Sequence, residues 1–89
     1  MTIKEFMRRT QEYAYSEYKI DLQLDVEKDH KYSRLFAVKD GSGGTGEWYS
    51  ARIVDATIGG KKTKLVEIRK DNDIFWVSRP CDLASILCG

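Results

Sequence analysis

The sequence predicts an α+β domain: an N-terminal amphipathic helix packed on a five-stranded antiparallel meander, followed by a short C-terminal helix. Three observations carry this reading. Residues 2 to 19 hold an apolar stripe at helical spacing with no Gly or Pro. At Ile20 the apolar period drops to two. Four further apolar runs follow, separated by turn residues, and consecutive strands joined by short turns pair antiparallel. The strands are expected to curl into a small barrel or a strongly curved sheet. That sheet is the only surface large enough to cover the helical stripe.

Each element has its own signal. Thr2 with Glu5 three residues on is a capping box. Ile3, Phe6, Met7, Tyr13, Ala14 and Tyr18 then form the stripe, while Arg8, Arg9, Gln11, Glu12 and Glu17 take the other side. This predicts a helix over 3–19. Ile20 to Val26 alternates apolar and polar, giving a first strand over 20–26 with one buried face. A charged connection leads to a second strand over 32–39, carrying Leu35, Phe36, Ala37 and Val38. Asp40 to Glu47 contains four glycines and reads as a loop. A third strand over 48–57 meets Gly59-Gly60, a tight hairpin signal. The fourth strand covers 62–69, and Lys70 to Asp73 turns again. A fifth strand over 74–79 is stopped by Pro80, and Asp82 is expected to cap a helix over 82–87. The 89 residues make one domain, with no repeat or linker.

Composition narrows the function classes. Of the residues 42% are hydrophobic, 11% aromatic and 33% charged, a globular mixture rather than a disordered one. Fifteen basic residues against fourteen acidic ones leave a net charge of +1. That total lacks the strong basic excess of duplex-DNA binders and the acidic excess of DNA mimics. No run of 18 apolar residues and no leader pattern is present, so the expected location is the cytoplasm, with no membrane partner.

Catalytic groups fail one by one. His30 is the only histidine and sits in a charged turn, with no partner to orient it as a general base. Cys81 and Cys88 lie seven residues apart, about 10 Å along a helix, beyond disulfide reach. With one distant histidine they do not make a four-ligand zinc site. Residues 41–46 match G-x-G-x-x-G, but Glu47-Trp48-Tyr49 leads into a strand, and a phosphate loop leads into a helix. The expectation is a protein without catalytic residues, metal or cofactor, which acts by binding.

Three surfaces are candidates for that binding. Lys61, Lys62, Lys64, Arg69 and Lys70 share one hairpin; they either contact phosphates or an acidic partner, or keep an edge strand soluble. Adjacent aromatics point to opposite faces of a strand, so one of Trp48 and Tyr49 and one of Phe75 and Trp76 faces outward or lies under the helix. With Tyr15, which sits off the helical stripe, Trp48, Tyr49 and Trp76 are candidate interface anchors. Gly43, Gly44 and Thr45 supply an exposed contact loop. The sequence leaves the oligomeric state open.

The segment from Leu35 to Leu83 resembles the Tudor and SH3-like barrel pattern. Its matching features are Trp48 to Val54 after a glycine-rich loop, the Leu65 to Ile68 strand, Trp76-Val77, and Pro80 to Leu83 closing the segment. The resemblance implies a barrel of short strands. Arg69 to Asn72 replaces the Tyr-Gly segment that Tudor domains often carry, so it does not extend to a cage for methylated residues. The functional expectation is a protein-binding module, of the kind frequent among small accessory proteins of phages and mobile elements, that inhibits a host complex by covering its surface. The alternative is a nucleic-acid-binding β-domain using the basic hairpin 61–70.

Overall fold

The computed structural model describes residues 2–28, 32–38 and 46–88. Helix α1 (Ile3–Tyr13) runs into a π-helical turn (Ala14–Tyr18), and strands β1 (Gln23–Lys28), β2 (Ser33–Val38), β3 (Gly46–Ile58), β4 (Lys61–Lys70) and β5 (Asp73–Val77) follow. Helix α2 (Pro80–Cys88) ends the chain's described part. The five strands form one antiparallel sheet in sequence order, β1-β2-β3-β4-β5. Both end strands have a single neighbour, so of the two expected shapes the sheet takes the open one.

Local chemistry explains the boundaries. Thr2 Oγ1 accepts the Glu5 N–H at 3.1 Å and caps α1. The helical segment closes at Lys19, whose φ of 56° is left-handed, and the Ile20 N–H returns to the Ala14 carbonyl at 3.3 Å. This seven-to-one closure, one residue wider than the usual helix-ending bond because the last turn is π-helical, and a further 3.1 Å bond from the Leu22 N–H to the Ile20 carbonyl consume residues 20 to 22. The first strand therefore starts at Gln23 rather than Ile20, although Leu22 and Leu24 are both buried as the alternation requires. Gly59 and Gly60 have φ of 58° and 79°, the pair of positive values that a two-residue hairpin turn of matching twist demands. Pro80 opens α2 rather than merely ending β5. Asp82 lies in its first turn and accepts from Ser78 and Arg79, so it does not serve as the cap.

Both helices cover one face of the sheet. Phe6, Met7 and Ala14 from the N-terminal segment and Leu83 and Ala84 from α2 meet Leu24, Leu35, Ala51, Val66, Ile68 and Val77 in a single core. Fully burying a side chain the size of Phe6 or Leu35 contributes about 1.5–3 kcal/mol, so these few contacts carry much of the fold. Thr10, buried among them, gives its hydroxyl hydrogen to the Phe6 carbonyl at 2.9 Å. Tyr18, expected on the buried stripe, is 42% exposed, because the wider π-helical turn rotates it away; its ring meets that of Tyr13 edge-on.

Candidate functional site

The side of the sheet away from the helices has a different chemistry. Cross-strand register puts Arg34 opposite Ser50, Phe36 opposite Trp48, Arg52 opposite Glu67, and Glu67 opposite Trp76. Directly opposed residues share a face. The partners of alternating parity (Ala51 with Ile68, Ile53 with Val66, Val66 with Val77) face the helices. The helix-free face thus gathers Arg34, Phe36, Trp48, Arg52, Glu67, Arg69, Ile74 and Trp76 from four strands.

Glu67 is the centre of this layer. Only 4% of it is exposed, although it points away from the core. Arg52 Nε and Nη2 donate to its two carboxylate oxygens at 2.9 and 3.4 Å, and Arg69 Nε donates at 3.2 Å. The Tyr32 ring lies beneath both guanidinium groups, 4.9 Å from that of Arg52 and 5.7 Å from that of Arg69. Hydrogen bonding from Arg52 foremost, and from Arg69, holds the Glu67 carboxyl below the ordinary glutamate range despite its burial. Alongside, the Arg34 guanidinium stacks 4.5 Å over Trp48, and Trp48 packs on Phe36 with ring centroids 4.7 Å apart. Gly46 makes room for this pair: a Cβ there would lie 1.9 Å from Phe36 Cζ.

The residues singled out from sequence divide among separate places. Trp48 and Trp76, 49% and 55% exposed, stand on the helix-free face, and Arg69 lies between their strands. Tyr49 turns to the opposite face, half-buried against the core, and its hydroxyl donates to Glu47 at 3.0 Å. Burial, with that bond to Glu47, raises its pKa. Lys70 joins the same group through a 2.7 Å ion pair with Glu47, which raises the lysine pKa and lowers that of Glu47. Lys64 pairs with Asp55 at 2.9 Å, leaving Lys61 and Lys62 exposed at the hairpin tip beside Ile58. Tyr15 projects from the π-helical turn over a shallow groove lined by Glu12, Asp21 and Asp25, with Lys19 stacked 5.8 Å from its ring. His30 and the loop residues Gly43, Gly44 and Thr45 lie outside the described residues.

Arg34, Arg52, Glu67, Phe36 and Tyr32 were not singled out from sequence. For Arg52 and Glu67 the signal was the two-residue Gly59-Gly60 turn. A turn of that length pairs Ile58 with Lys61, and counting back along both strands pairs Arg52 with Glu67.

Among the described residues, no group of three or more His, Cys, Asp or Glu side chains is placed to hold a metal ion, and Cys81 and Cys88 form no disulfide. No described helix is long and apolar enough to cross a membrane. No family model, curated protein or solved structure matches the chain.

Proposed function

We propose that the chain is a non-catalytic protein-binding module that docks its partner on the helix-free face of the sheet and acts by covering part of the partner's surface. The observation behind this reading is the exposure of Trp48 and Trp76 among Arg34, Arg52 and Arg69 on one continuous face. Trp, Tyr and Arg are the residue types that dominate binding energy at protein interfaces. Rings and guanidinium groups already held by neighbours lose little conformational freedom on docking.

Charge weighs against the nucleic-acid alternative. On the helix-free face Arg34, Arg52, Lys61 and Arg69 stand against Asp25, Glu27 and Glu67. That leaves too small an excess to neutralise a run of phosphates. On the hairpin, Lys64 and Lys70 are already paired with carboxylates.

Affinity capture with the wild-type chain and with the W48A/W76A double variant tests the reading. Both tryptophans are half exposed, so the double variant keeps its far-ultraviolet circular dichroism spectrum. The expected result is a protein that survives 200 mM salt on the wild-type chain and is lost from the variant. Retention on the variant, or loss of every captured molecule between about 50 and 200 mM salt as phosphate binding predicts, refutes it.

A further inference from the structure

We infer that the docking face receives a carboxylate side chain of the protein partner on Arg69 and Arg34, flanked by apolar partner side chains seated on Trp48 and Trp76. The inference rests on the docking-face reading and adds the chemistry of the segment that fills it. Glu67 uses Nε and Nη2 of Arg52 but only Nε of Arg69. Both Nη groups of Arg69 are thus without a carboxylate among the described residues, as is the whole guanidinium of Arg34, which is held only by its stack on Trp48. A planar fork with its stem fixed and its outer donors open matches the two oxygens of a carboxylate.

The setting favours one carboxylate rather than a polyanion. Glu67 cancels one positive charge at the centre, and Asp25 and Glu27 line the β1 side. Strand spacing separates Trp48 from Trp76 by about 10 Å across the sheet and about 13 Å along it, with Arg69 on the strand between. A short segment carrying an acidic residue between two bulky apolar ones spans that distance. Ile74 lies directly across from Arg69 and extends the apolar ground beside it.

Selection from a random peptide library on the immobilised chain tests this, with affinities of the enriched peptides measured against variants. The expected peptides carry Asp or Glu between bulky apolar residues. R69Q and R34Q each weaken them about tenfold, the loss of one charge-assisted hydrogen bond. Replacing the peptide's acid by its amide costs the wild type more than it costs either single variant, and costs the R34Q/R69Q double variant nothing further. Arg34 has no ion pair to Glu67, so R34Q folds independently of any strain R69Q introduces. If enriched peptides lack an acidic preference yet lose binding to W48A/W76A, the face docks protein and the carboxylate inference falls alone. If their binding ignores W48A/W76A, the docking-face reading falls with it. Preferential binding of an oligothymidylate over every peptide overturns both.

Discussion

Gln11 Oε1 accepts a 2.7 Å hydrogen bond from the backbone N–H of Leu24, tying the first helix to the free edge of β1. An edge strand's outward amides are templates for unwanted pairing, and natural sheets blunt them with charges or cover. Here α1 supplies an amide side chain as cover, and the charged Asp25 and Glu27 flank the site.

Gln11→Ala removes that acceptor from a part-buried amide. The expected cost is about 1 kcal/mol of stability, with faster hydrogen exchange at Leu24 and little change at β4. Unaltered Leu24 exchange would show that the bond contributes nothing.

The Glu67 carboxyl carries an acid-dependent share of stability. Its folded pKa is depressed, chiefly by the Arg52 hydrogen bond, so its contribution is full above the ordinary glutamate value near pH 4.5 and is lost as pH falls below that value. Glu67→Gln is expected to cost about 1–2 kcal/mol at neutral pH, discounted for the half-exposed arginines. In urea melts from pH 7 to 3 the gap between wild type and variant should narrow. A gap constant with pH would refute the assignment.

Gly46→Ala sets a methyl group where the Phe36 ring now lies. The ring must swing out and part from Trp48, costing about 1–3 kcal/mol and changing the near-ultraviolet dichroism. Unchanged dichroism and melting temperature would mean that the ring and strand accommodate the methyl freely.

Lys19 adopts the left-handed conformation that closes the N-terminal helical segment, which a side chain tolerates poorly. Lys19→Gly should raise stability by about 0.5–1 kcal/mol in thermal melts, since only an exposed stack on Tyr15 is given up. A lower melting temperature would show that this stack outweighs the backbone strain.

Sequence periodicity reached the element order because every run here is amphipathic at its own period, from Phe6, Met7 and Ala14 to Val66 and Ile68. It placed the start of the first strand at Ile20 rather than Gln23 because Lys19 carries no mark of a left-handed closure, where a glycine would have announced it. The site was legible in part. Trp48 and Trp76 stood out by side-chain size, but Tyr49 and Phe75 were separable from them only once the face assignment was known. Arg52 and Glu67 look like ordinary surface charges until the register is counted from the hairpin turn. The pairing of β2 with β3 crosses residues 39–45, whose length sets no register, so the Phe36–Trp48 contact had no sequence signal.

The difference between the two sides of the sheet also guards its alignment. A slip of β4 by one residue against β3 would carry Glu67 and Arg69 under the helices and turn Val66 and Ile68 out to water. It would bury charges stripped of Arg52 and of the Tyr32 ring, at a penalty far above that of a lost apolar contact. The polar layer therefore acts as a key cut into the ribbon: a misaligned strand cannot complete the core without burying charge.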